Sequence, residues 1–173
     1  MSKVELTTRI PLRGDVQIFR RCAKTGQLLD VWSKRNTITY VAGDVMVALL
    51  APNALGLGGP QVTNQIKSMR FGTSNLAPYR TDTALAAEAV GARQELLDTN
   101  RFIGSSTVEF VATLDSLTGN GVTYREAGLF TRGDNDDPSV SSGGKLFARQ
   151  VFPDQPKSAA VELEFHWRIT FSI

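Results

Sequence analysis

Few residues in this chain can do chemistry. Among 173 residues there is one histidine, His166, and one cysteine, Cys22. A serine or cysteine nucleophile normally needs a neighbouring base, most often histidine. His166 stands between Phe165 and Trp167 in an alternating segment, where a single histidine serves as a surface or interface residue. Cys22 has no histidine near it in sequence and reads as a small strand residue. Glu126, Glu162 and Glu164 lie in strand-like text and could in principle form a glycoside-cleaving pair, but no spacing selects them, and Glu162 with Glu164 is what one solvated strand face looks like. Asp134, Asp136 and Asp137 begin like a calcium loop, yet the following PSVSSGG supplies neither its glycine nor its distal glutamate. GLGGP at 56–60 follows a helix-like segment and lacks the Lys-Ser/Thr of a phosphate-binding loop. Two Arg-Gly-Asp tripeptides, Arg13-Gly14-Asp15 and Arg132-Gly133-Asp134, read as places where a strand meets a turn rather than as adhesion motifs. No catalytic, cofactor or metal residue is assigned.

The elements around these residues are mostly strands. In VELEFHWRITFSI, Val161, Leu163, Phe165, Trp167, Ile169, Phe171 and Ile173 alternate with Glu162, Glu164, His166, Arg168, Thr170 and Ser172. Successive side chains of a strand point to opposite faces, so this period-two pattern predicts a long central strand with an apolar face in the core and a polar face outside. From Asp15 to Thr39 two strands are expected, joined at Lys24-Thr25-Gly26, with Val16, Ile18, Arg20 and Cys22 sharing a face. GDVMVALLAP predicts a short buried helix with Asp44 in its first turn. QIKSMRFG predicts a strand with Ile66, Ser68 and Arg70 opposite Lys67, Met69 and Phe71. A second short helix is expected from Thr81 or Thr83 to near Gly91, while ARQELLDTNRFIG fits a strand or a helix extension. STVEFVATL puts Val108, Phe110, Ala112 and Leu114 on one face, SLTGNG reads as a turn, and VTYREAGLFTR and KLFARQVF are further strands. NALGLGGPQVTN is a loop.

The expected fold is therefore mainly β: an antiparallel β-sandwich with two short helices in one domain over 1–173. Residues 1–14 form a possible N-terminal arm, and 133–144, acidic and then rich in Ser and Gly, form an exposed loop. The 42% apolar and 21% charged residues are those of a soluble globular protein. No run approaches the ~20 apolar residues of a membrane span, and the start lacks the apolar middle of a signal peptide, so no membrane is expected. Lys3, Arg9, Arg13, Arg20, Arg21, Lys24, Lys34 and Arg35 crowd the first forty residues against Glu5, Asp15 and Asp30. Solvated strands and contact with an acidic partner both fit that bias.

Four segments in order carry a resemblance: NTITYVAGDVMVALLAP, IKSMRFGTSN with YRTDTALAAE, TYREAGLFTR, and KLFARQVF with the terminal alternating strand. The most specific part is Glu126-Ala127-Gly128-Leu129-Phe130 followed, after a variable loop, by Phe147-Ala148-Arg149. Together they resemble the β-sandwich structural proteins of tailed bacteriophages found at the neck, collar or baseplate or attaching tail fibres. The resemblance implies a non-enzymatic virion subunit, made and assembled in the host cytoplasm, that packs against copies of itself and other neck or tail proteins, with neither cofactor nor nucleic-acid partner. The glycine of GLF would allow close backbone approach, Leu129 and Phe130 would serve opposite faces, and Arg125 and Arg149 could pair with strand glutamates. The candidate assembly surface is Glu162, Glu164, His166, Arg168, Arg20, Arg21 and Phe130. The alternative is a carbohydrate-binding module, for which Trp32, Tyr79 and Trp167 are the aromatic candidates; a small β-sandwich hydrolase would lack an acid–base set.

Overall fold

The computed structural model describes residues 12–50, 65–96, 101–103, 106–131 and 144–171, with the side chains of 47–50 and 101–103 excepted. Among the described residues, ten strands form two five-stranded antiparallel sheets. β1 (Leu12–Cys22) and β2 (Leu28–Arg35) are the expected hairpin, and Gly26 in its turn has φ of +69°. β10 (Val161–Phe171) lies beside β1 and is followed by β7 (Thr107–Leu114) and β6 (Arg101–Ile103), so sheet 1 runs β2-β1-β10-β7-β6. Sheet 2 runs β3 (Thr37–Ile38), β9 (Leu146–Pro156), β8 (Thr123–Thr131), β4 (Ile66–Gly72) and β5 (Gln94–Glu95).

The terminal alternation is realised as a central strand. Leu163, Phe165, Trp167 and Ile169 of β10 are all buried, and β10 hydrogen-bonds to strands on both sides. They face Phe71, Ala127, Leu129 and Phe152 of sheet 2, and rings from the two sheets meet at Phe71–Phe165 (4.6 Å between centroids) and Phe152–Phe165 (5.8 Å). At ~1.5–3 kcal/mol for each large apolar side chain buried, this seam is the main source of stability.

Of the two expected helices, one forms. α1 (Val41–Leu50) buries Ala42 and Val45 and leaves Asp44 exposed in its first turn. Thr39, just before it, donates its hydroxyl to the Leu146 carbonyl at 2.6 Å and so ties the helix start to β9. The helix expected from Thr81 or Thr83 is absent: residues 73–89 are irregular, and only Val90–Ala92 makes a 3₁₀ turn. Its backbone groups are instead taken up by sheet 2, as Thr73 N–H bonds to the Ala87 carbonyl and Ala89 N–H to the Phe71 carbonyl. Leu12–Gly14, assigned above to a possible arm, belong to β1; residues 1–11, the 53–64 loop and 133–143 lie outside the described residues. Among the described residues no helix is long and apolar enough to cross a membrane.

Candidate functional site

The polar face of sheet 1 gathers most of the predicted surface residues. Antiparallel register sets Arg21 opposite Glu162, Phe19 opposite Glu164, Gln17 opposite His166, and His166 opposite Val111 of β7. His166 lies between two carboxylates: its Nδ1 is 2.9 Å from Glu109, and its Nε2 contacts Glu164. Glu109 also accepts from Arg168 (3.1 Å), and Glu164 from Arg21 (3.3 Å). Phe19 stands edge-on to the His166 ring at 5.0 Å, with the Arg21 guanidinium 5.7 Å from its centre. Burial works to raise the Glu164 pKa, but the hydrogen bond and charge of His166 together with Arg21 hold it below the usual carboxylate value. The result is a continuous band of charged and polar contacts over β1, β10 and β7 in the order Arg21, Glu164, His166, Glu109, Arg168.

The charges of this band are engaged with one another. His166 has carboxylates on both ring nitrogens and, among the described residues, no hydroxyl or thiol nucleophile hydrogen-bonded to it. Cys22 is at the far end of β1, where the hydroxyl and backbone of Thr25 lower its pKa. Among the described residues no group of three or more His, Cys, Asp or Glu side chains is placed to hold a metal ion. Glu109, which anchors the band from β7, went unremarked in the sequence; its place in STVEFVATL beside apolar neighbours signals only an outward strand position.

Two predicted surface residues lie elsewhere. Arg20 shares the inward-facing side of β1 with Val16 and Ile18, and its Nε is shielded from solvent without a hydrogen-bond partner. Phe130 is 2% exposed, packed with Leu85 and Leu146 and covered by the Arg70 guanidinium 4.1 Å from its ring centre. Leu129 and Phe130 do face opposite ways, but the second face of sheet 2 is covered by the 73–93 segment rather than open.

A buried ion pair fastens that cover. Glu126 of β8 is fully buried and accepts from Arg149 of β9 through Nε (2.8 Å) and Nη2 (2.7 Å), and from the backbone N–H groups of Ala86 (3.1 Å) and Ala87 (2.7 Å). Arg149 reaches on to Asp82 at 2.7 Å and to the carbonyls of Leu76 (3.0 Å) and Ala77 (3.4 Å). The planar guanidinium supplies five donors in a fixed fork, so one arginine binds strand and cover together. Gly128, between them in β8, has no room for a side chain: a Cβ would lie 2.7 Å from Leu146 and 3.1 Å from both Leu85 and the Ala148 carbonyl. Arg125 pairs with Asp154 (2.7 and 2.9 Å) rather than with a glutamate. Glu126 is thus structural, and it lies in the other sheet from Glu162 and Glu164, so the three carboxylates do not converge.

Arg13-Gly14-Asp15 lies within β1, not at a turn, and Arg13 is locked onto Asp15 at 2.8 and 3.1 Å. A Cβ on Gly14 would fall 1.8 Å from the Asn36 side-chain oxygen, so a larger residue there would displace Asn36. The second tripeptide, the Asp134–Asp137 cluster and GLGGP lie outside the described residues. Of the aromatic candidates, Trp167 is fully buried, Trp32 packs toward Phe152 at 5.9 Å, and Tyr79 is exposed. The chain matches no family model, no curated protein and no solved structure.

Proposed function

We propose that the chain is a non-enzymatic structural subunit of a tailed-phage virion, assembling with copies of itself and with other virion proteins at the neck or collar or in the tail, as a baseplate or fibre-attachment component. The sequence motifs of the resemblance motivate the virion setting. The observation that carries the subunit reading is the contrast between the sheets. Sheet 2 holds its own cover through Glu126 and Arg149, whereas the outer face of sheet 1, among the described residues, carries charges paired between strands, Arg21 with Glu164 and Arg168 with Glu109, and its margin strand β2 exposes Leu28, Leu29 and Val31. A face with satisfied charges can be desolvated against a partner at lower cost than one with free charges. The carbohydrate-binding alternative needs exposed aromatic rings on one face, and two of its three candidates serve the core.

Mass spectrometry of purified particles, with antibody labelling of the chain in electron micrographs, tests the proposal. Stoichiometric presence at one end of the tail is the expected result. Absence from particles that are infectious and otherwise complete would overturn it.

A further inference from the structure

Among the described residues, three of the four sheet edges are short. β3 and β5 have two residues each and β6 has three, whereas β2 has eight. Short edges offer little for another strand to pair with, and long ones are normally blunted by charge or proline. β2, sequence LLDVWSKR, carries Asp30, Lys34 and Arg35 but also leaves Leu28, Leu29 and Val31 46%, 47% and 45% exposed.

Its free hydrogen-bonding groups can be located. The Asn36 N–H turns toward β1 and bonds to the Gly14 carbonyl at 3.0 Å. In an antiparallel ladder the direction alternates, so the backbone groups of Val31, Ser33 and Arg35 point away from the sheet. The Val31 N–H bears this out, since it donates to Oδ1 of its neighbour Asp30 at 2.8 Å and not to β1.

We infer that β2 is the docking edge for a second copy of this chain, the two β2 strands pairing antiparallel about a two-fold axis so that sheet 1 continues across both subunits. The inference rests on the reading of the chain as a self-assembling subunit. A two-fold axis normal to the sheet keeps each face on its own side, so opposed residues must come from the same face of β2. Pairing centred on Val31 sets Asp30 against Trp32, and pairing centred on Ser33 sets Trp32 against Lys34. Pairing centred on Trp32 sets Asp30 against Lys34 twice and Val31 against Ser33, which matches opposite charges and pairs the outward backbone groups. In that register Asp30 releases the Val31 N–H to the Ser33 carbonyl of the second copy and turns to Lys34 across the seam.

Sedimentation velocity of the full chain, up to about 100 µM, where any interface with a tighter dissociation constant is largely formed, provides the test. The wild type should sediment as a dimer. Asp30→Lys should weaken dimerisation about tenfold or more, because it sets like charges opposite one another at two places. Asp30→Lys with Lys34→Asp should restore it. Ser33→Pro should abolish dimerisation while circular dichroism stays native, because the N–H it removes points away from β1. A wild type that is monomeric throughout overturns the inference. So does an oligomer that Ser33→Pro leaves intact, which would place self-assembly on another surface while leaving the virion-subunit proposal standing; that proposal fails separately if the chain is missing from particles.

Discussion

Replacing Glu126 with alanine removes the acceptor at the centre of the cover. Arg149 keeps Asp82 as a carboxylate partner but loses the fully buried one, and the N–H groups of Ala86 and Ala87 lose theirs. Breaking a buried ion pair costs about 3–5 kcal/mol, and since Asp82 retains part of the compensation, the lower end, about 3 kcal/mol, is expected. For a chain of this size each kcal/mol moves Tm by about 2–4 °C, so thermal unfolding should fall by about 6–12 °C. Hydrogen exchange locates the effect: peptides from 73–93 should lose protection before those from β10 do. Replacing both partners, Glu126→Met with Arg149→Met, distinguishes two roles. If the pair mattered only as opposed charges, an apolar replacement would be neutral or better. Because Arg149 also holds the Leu76 and Ala77 carbonyls, the double variant should keep a stable sandwich but release the 73–93 segment. A change of less than about 3 °C in Glu126→Ala, below the smallest shift that the buried-pair cost allows, or unaltered exchange in 73–93, would refute the reasoning.

Deleting residues 168–173 removes Ile169, which is 1% exposed, together with the pairing of β10 to the start of both β1 and β7, so the truncated chain should be insoluble on expression. Glu162→Lys with Glu164→Lys changes only the outward face of β10; far-ultraviolet circular dichroism should remain native while incorporation into particles is lost, and normal incorporation would remove this face from the assembly surface. Acid should destabilise the fold through Asp115, held low by the hydroxyl of Thr118 and the backbone of Leu117, through Asp154, held low by Arg125, and through Glu164. Each has a folded pKa below its unfolded value, so its contribution is present above about pH 4 and is lost as pH falls through the folded pKa; the free energy of urea unfolding should drop between pH 5 and pH 3, and Asp115→Asn should flatten that drop.

Strand identity was legible where one face is wet. In β7 and β10 the apolar residues alternate with polar ones, and the sequence pattern names the buried residues directly. In β4 and β8 both faces are covered, so Ser68, Arg70, Glu126 and Thr131 are buried although their polarity argues for exposure. What covers them is an irregular segment held by side chain to backbone bonds from Glu126 and Arg149, and such partners have no period in sequence. The same cause explains the helix expected near Thr83: ALAAEA has helix-forming composition, but the amides of Ala86 and Ala87 are spent on Glu126. On the candidate surface, alternation correctly placed Glu164, His166 and Arg168 outward on β10. It could not supply Glu109 as their partner, because cross-strand neighbours follow from register and not from spacing.

The pairing of β1 with β10 bears on how the chain folds. Leu12 is opposite Phe171 and Cys22 opposite Val161, so the central ladder of sheet 1 joins strands from far ends of the described chain. Every strand of sheet 2 lies between them in sequence, from Thr37 to Pro156. On a ribosome, sheet 2 and its cover can therefore form while β1 and β2 wait as a lone hairpin, a structure only marginally stable in water. Pairing between strands this distant in sequence forms slowly, which makes the joining of β1 to β10 the late step. Until β10 emerges, the apolar inner face of sheet 2 has no lid, and a face of that kind is open to association with other chains.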